Sequence, residues 1–162
     1  MITAHTSHAP NNPTSLLSLI PFSEVPNVVL VVDDDPVNLL LASTILEKCG
    51  CTLLKASDPK RAIELFEQYG LIINLLITDV CLPEMTGTAL AEHLRGSNAQ
   101  LPVLCMSAAP GEEALEKGFC FIEKPFTVAG FIQGTVAALQ TPRSHRCTLF
   151  NGSQVQKGEH KC

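Results

Sequence analysis

An α/β sandwich around a parallel sheet is the fold this sequence predicts, and two observations predict it. Short continuous runs of β-branched and aliphatic residues, of the kind that form strands buried on both faces, recur along the chain. Between them lie helical stretches, several opened by a capping residue with proline or stopped by glycine. Five such units alternate over about 110 residues, and that alternation gives parallel strands joined by helical crossovers.

The elements follow in order. Val28–Val32 is an unbroken apolar run and reads as the first strand. Asp35 then Pro36 supplies a cap and a first-turn proline, and Gly50 ends the helix expected over 37–49. Within it, Leu40, Leu41, Ile45 and Leu46 read as core. A second strand covers 51–56. Ser57 and Asp58 before Pro59 repeat the cap signal, opening a helix to Tyr69 with Ala62, Ile63, Phe66 and Tyr69 on one face. The pattern continues through a strand at 72–78, a helix at 87–95, a strand at 101–106 and a short helix at 112–117. A strand at 119–122 and a helix at 128–139 close it. Five units are too few for an eight-unit barrel and favour a flavodoxin-like order, 2-1-3-4-5. No longer repeat is present.

The flanks differ from this body. Residues 1–26 carry Pro10, Pro13, Pro21 and Pro26 among Ser, Thr and Asn, and read as a flexible leader. The domain spans 27–140. It holds 7 Lys or Arg against 14 Asp or Glu, whereas Arg143, Arg146, Lys157 and Lys161 oppose only Glu159 in 141–162. Those last residues read as a basic, disordered tail. An acidic body is a poor fit to nucleic acid, so no direct DNA binding is expected. With 46% hydrophobic and 17% charged residues the chain can bury a core. No run approaches the ~18 apolar residues of a membrane span. The run Leu16-Leu17-Ser18-Leu19-Ile20 is short and no Lys or Arg precedes it, unlike a secretory signal; a cytoplasmic protein without membrane contact is expected. The seven cysteines show no C-x-x-C spacing. They read as reduced thiols, with Cys105 and Cys120 acting as small hydrophobes.

In open parallel sheets, ligands bind beyond the carboxyl ends of the strands. Here those ends are polar: Asp33-Asp34-Asp35 after the first strand, Asp79 after the third, Ser107 after the fourth, Lys124-Pro125 after the fifth. Strands 1 and 3 are neighbours in the predicted order, so Asp33, Asp34 and Asp79 share a crevice with Ser107 and Lys124 on its rim. Such carboxylates raise one another's pKa unless a cation intervenes. Mg²⁺ takes a few carboxylates plus water and phosphate oxygens. Lys124 is a point charge suited to a phosphoryl oxygen, and Ser107 offers a hydroxyl. Phosphoryl transfer needs mainly positioning and charge neutralisation, which this set supplies without a general base. Asp35 reads as the helix cap.

Residues 28–140 resemble a two-component response-regulator receiver domain, of the chemotaxis-regulator kind or cut from a hybrid kinase. The resemblance rests on V-L-V-V-D-D-D-P at 29–36, L-L-I-T-D-V-C-L-P-E-M-T-G at 75–87, V-L-C-M-S-A at 103–108 and F-I-E-K-P-F at 121–126. It implies a regulatory phosphoacceptor rather than an enzyme, phosphorylated on Asp79. It implies Mg²⁺ or Mn²⁺ held by Asp34, Asp79 and the backbone carbonyl of Cys81, with Asp33 acting through water. Lys124 and Ser107 would contact the phosphoryl group, and Ser107 and Phe121 would be the switch pair. The implied partners are a sensor histidine kinase or histidine phosphotransfer protein and a downstream protein target. The connection from Ser107 to Lys124 is shorter than the family's usual one. The fourth helix must therefore be shortened, which puts the family's usual dimer face in doubt.

Two other readings compete. Asp33-x-Asp35, Ser107 and Lys124 follow the motif order of a haloacid-dehalogenase-type phosphatase, but that chemistry needs acidic residues after the lysine, and in the stretch that follows only Glu159 is present. A receiver fold used as a non-phosphorylated scaffold is disfavoured because every site residue is present. A dinucleotide-binding domain fails for lack of glycine in the first turn.

Overall fold

The computed structural model describes residues 27–109, 111–140, 149–151 and 154–155. At its centre is a parallel sheet of β1 (Val28–Val32), β2 (Thr52–Ala56), β3 (Ile73–Asp79), β4 (Val103–Ser107) and β5 (Cys120–Glu123), in the order 2-1-3-4-5. The intervening helices are α1 (Pro36–Lys48), α2 (Pro59–Tyr69), α3 (Gly87–Ser97), α4 (Glu112–Glu116) and α5 (Val128–Gln140). The cap signals act as the sequence implies. Asp35 accepts from the Val37 N–H, Asp58 from the Arg61 N–H and Thr86 from the Ala89 N–H.

Because side chains alternate across a strand, each strand feeds two cores. Val29, Val31, Leu75, Ile77, Leu104 and Met106 pack against α1 and α5. Leu30, Val32, Leu76, Cys105 and Phe121 pack against α2, α3 and α4. This double burial is why the strands read as continuous apolar runs.

Leu40 and Leu41 are not core. Ile45 and Leu46 are buried, with Ala42 and Cys49, but Leu40 is 65% and Leu41 46% exposed. The helical period explains it: 42, 45, 46 and 49 form one stripe, and Val37, Leu40 and Leu41 fall on the other side.

The fourth helix is short, with five residues. Buried Ala114 anchors it, and the Thr88 hydroxyl donates to Glu113 Oε1 at 2.7 Å. That bond, followed by Lys117, holds the Glu113 carboxyl below its ordinary range. Lys117 also pairs with Glu92 at 2.7 Å.

Two expectations about the C-terminal part need correction. The composition of 141–162 predicts a disordered tail, yet β6 (Leu149–Asn151) pairs in parallel with β5 and β7 (Gln154–Val155) pairs antiparallel with β6. The open edge of β5 offers unpaired backbone groups to an extended segment, and charge counting does not register this. The expected leader, residues 1–26, and the rest of the tail lie outside the described residues. The sequence also reads Cys120 as a free thiol, but it is disulfide-bonded. A disulfide needs two Cα atoms within about 7 Å, a proximity that sequence spacing does not disclose. Cys49, Cys51, Cys81 and Cys105 are free, and burial pushes the Cys105 thiol up to about 12. Among the described residues no helix is long and apolar enough to cross a membrane.

Gly87 and Gly96 offer a matched test within α3. A Cβ at Gly87 would collide with the Asp79 carbonyl oxygen and sit 2.7 Å from Thr78 Oγ1, whereas one at Gly96 meets nothing within 4 Å. Urea denaturation should show Gly87→Ala destabilising by about 1–3 kcal/mol. Gly96→Ala should stabilise by up to about 1 kcal/mol through helix propensity.

Candidate functional site

The carboxyl ends of β1, β3, β4 and β5 converge on one crevice. β1 lies between β2 and β3, so the aspartates following β1 meet the one closing β3. Carboxylate oxygens of Asp33, Asp34 and Asp79 all lie within 4.8 Å of one another. Asp33 is fully buried, Asp79 is buried and Asp34 is exposed to solvent.

Lys124 reaches in from the end of β5. Its Nζ donates to Asp33 Oδ2 at 2.8 Å and lies 3.4 Å from Asp79 Oδ1. The lysine backbone is held by its own N–H donating to the Ser107 carbonyl at 2.8 Å, and the Lys124–Pro125 peptide is cis. Asp33 Oδ1 accepts from the Asp35 N–H at 3.0 Å, so both its oxygens are engaged.

One ammonium facing three carboxylates leaves the crevice negative. Burial is the largest influence on Asp79 and pushes its carboxyl above the ordinary range; Asp33 pushes the same way. Lys124 and the backbone N–H of Cys81 pull against them. The donor set is all oxygen, crowded and under-neutralised. It fits a hard divalent cation and does not fit a soft metal.

The remaining residues fall into two groups. Ser107 is buried at the end of β4 beside the crevice, but its Oγ accepts from the Ala109 N–H at 3.1 Å and so serves its own loop. Cys81 is exposed in the loop after β3, next to the cluster through its N–H. Phe121 is not in the crevice: it lies buried in β5, with Gly111 packed so tightly over its ring that a Cβ would collide with it. Asp35 is absent from the cluster, its Oδ1 accepting from the Val37 N–H at 2.8 Å. The paired-aspartate arrangement of the phosphatase reading is therefore not assembled.

Sequence reasoning missed several supports. The Thr78 hydroxyl donates to the Asp79 carbonyl at 2.9 Å, and Gly87 gives that carbonyl room. Glu84 holds a φ of 67° in the loop after β3, a conformation that costs a non-glycine residue energy. A glycine directly after the T-D-V-C-L-P-E-M-T run was the only signal available for any of these.

A flavodoxin-like sheet with acidic residues and a lysine at its carboxyl ends defines the receiver class of α/β domains. Residues 29–133 match the response regulator receiver domain, and the chain belongs to that family. It is 36% identical over 90 residues to the two-component response regulator ARR2 of Arabidopsis thaliana, covering 56% of this chain and 13% of that protein. It is 36% identical over 80 residues to the regulator of RpoS of Escherichia coli, covering 49% of this chain and 23% of that one. The chain thus spans less than a quarter of either relative. Among solved structures, the receiver domain of the hybrid histidine kinase CckA aligns with a TM-score of 0.61 at 28% identity, over 70% of this chain and all of that one. The CheX–CheY–BeF3–Mg complex of Borrelia burgdorferi aligns at 0.67 and 23% identity, over 72% and 92% respectively.

The electrostatics give a signed expectation. A carboxyl raised above its unfolded value makes folding less favourable as pH climbs from about 3.9, the unfolded value, through the raised one. In metal-free buffer Asp79→Asn should therefore melt several degrees above the native protein at pH 7, with the gap closing below pH 4. Equal melting temperatures across that range would show that Asp79 carries no such strain.

Proposed function

We propose that this chain is a phosphoacceptor of a two-component system, taking a phosphoryl group onto Asp79 and signalling by conformational change. The observation that carries the proposal is the buried Asp79 carboxylate, set between two further aspartates and the Lys124 ammonium at the strand ends. An Asp79 oxygen attacks the phosphorus of a phosphohistidine or a small acyl phosphate; the P–N or P–O bond to the donor breaks, and the donor leaves with its electron pair. No group need remove a proton, because the nucleophile is already a carboxylate.

Asp34, Asp79 and the Cys81 carbonyl would hold Mg²⁺ or Mn²⁺, with Asp33 acting through water. The cation supplies charge neutralisation, without which a dianionic phosphoryl group is repelled by this crevice. Lys124 exchanges part of its pairing with Asp33 for a phosphoryl oxygen. Ser107 can donate to a second oxygen by turning its hydroxyl away from the Ala109 N–H. Gly111, packed over the Phe121 ring, lies shortly after Ser107 in the chain and so links the end of β4 to the switch residues. The chain is read as a regulatory domain that assists its own phosphorylation and dephosphorylation, in the cytoplasm.

The phosphodonor is a sensor histidine kinase or a histidine phosphotransfer protein, and the reader is another protein. Val37, Leu40 and Leu41 are bare apolar side chains on α1, the helix that opens directly after Asp34 and Asp35. A donor placing its histidine at Asp79 would cover them. The acidic body does not favour DNA as a partner.

Incubation with acetyl phosphate and Mg²⁺ should add one phosphoryl mass to the intact protein. The gain should vanish with chelator and in Asp79→Ala; labelling that survives in Asp79→Ala overturns the assignment. Leu40→Asp should slow transfer from a phosphorylated donor protein about tenfold or more, a loss of about 1.4 kcal/mol of docking. Its labelling by acetyl phosphate should stay at the native rate. Equal slowing with both donors would mean that the substitution disturbs the site instead.

A further inference from the structure

At the end of the sheet opposite the acidic crevice, three large apolar side chains stand bare. Tyr69 is 36% exposed, Ile72 56% and Leu71 103%, meaning that nothing in the described fold shields it at all. They border a cleft of about 690 Å³ lined also by Phe66, Ser97 and Asn98. We propose that this surface is the docking site of the chain's own leader segment, Leu16-Leu17-Ser18-Leu19-Ile20-Pro21-Phe22.

Position is the first reason. The chain enters the fold at Asn27, whose carbonyl accepts from the Thr52 N–H at 2.9 Å, and the Val28 N–H donates to Asn74 Oδ1 at 2.7 Å. Val28 is in register with Ile73 on the neighbouring strand, so the leader emerges one strand spacing from Ile72, about 4.8 Å. From Phe22 to Asn27 the chain can stretch about 17 Å, enough to turn back over the patch. The exposed apolar patch on α1 lies beyond the full length of β1. Reaching it would close a longer loop at greater entropic cost.

Chemistry and size agree with this occupant. Six of the seven residues 16–22 are apolar and none is charged. A stable dimer engages about 20–30 residues on each side, far more than this patch presents. A tethered segment needs much less contact, because a short linker holds it at millimolar effective concentration. The small bare patch therefore suits a segment in cis better than a second copy or a free partner.

Tyr69 gives a direct readout, since the chain has one tyrosine and no tryptophan. The full chain carrying Leu17→Asp, Leu19→Asp and Ile20→Asp together should show Tyr69 emission quenched by acrylamide about twofold more steeply than native, as a mostly occupied patch is uncovered. Its domain transition in urea should remain one cooperative step, with the midpoint lowered only by the small stabilisation that docking in cis contributes. Leu71→Asp alone should give the same rise, and combining it with the leader changes should add nothing, as for two sides of one contact. Identical quenching in the native chain and the leader variant overturns the proposal. So does a concentration-dependent association in sedimentation that Leu71→Asp abolishes and the leader changes leave intact, since a second copy would then be the occupant.

Discussion

Two neighbouring parallel strands that both finish in aspartate force like charges into a space with little water, and the rest of the molecule is arranged around that crowding. Asp33 is fully buried and Asp79 nearly so, and among the described residues the Lys124 ammonium alone pairs with both. The lysine is brought there by β5, two strands away from β3, and is steadied by a backbone bond to the end of β4. Four strands must therefore keep their register for one cation to reach two carboxylates. The long apolar runs that fix that register are as much a part of the site as its charged residues.

The same crowding makes the crevice responsive. A fully neutralised cluster would have no reason to attract a divalent cation or an anionic group with it. A cluster with one positive charge among three negative ones is receptive to both together. Around it the connections are tight. Gly87 lies against the Asp79 carbonyl, Gly111 against the Phe121 ring, and Thr88 ties the start of α3 to Glu113 of α4. Movement at the end of β4 must therefore be transmitted or blocked by a few contacts, since close-packed groups give way in steps rather than gradually.

Much of this was legible in the sequence, for a clear reason. Strands buried on both faces leave unbroken apolar runs, and the polar residue that ends each run marks the face where chemistry can occur. The pattern of the sequence thus gathers Asp33, Asp34, Asp79, Ser107 and Lys124 into one crevice and implies the five-strand order. What was illegible depends on neighbours distant in the chain. Leu40 and Leu41 look like core until the helix is oriented by Ala42, Ile45 and Leu46. The direction of the Ser107 hydroxyl is decided by the Ala109 N–H. The Thr88–Glu113 bond spans 25 residues, and the Cys120 disulfide is announced by no local pattern. The pairing of Leu149 with Phe121 is of the same kind, since a three-residue strand is too short to show a period.

That last pairing bears on how the molecule behaves in company. In the five-strand core, β2 and β5 are the outer strands, and an outer strand with free backbone groups can recruit an extended segment of any passing chain. On the β5 side the protein has filled the vacancy with its own residues, and β7 turns back against β6 in the opposite direction. A foreign strand arriving there meets the two-residue β7 instead of the flank of the five-strand sheet. The fold thereby guards one border of its sheet against templated aggregation and leaves the shape of the β4–β5 side to this chain alone.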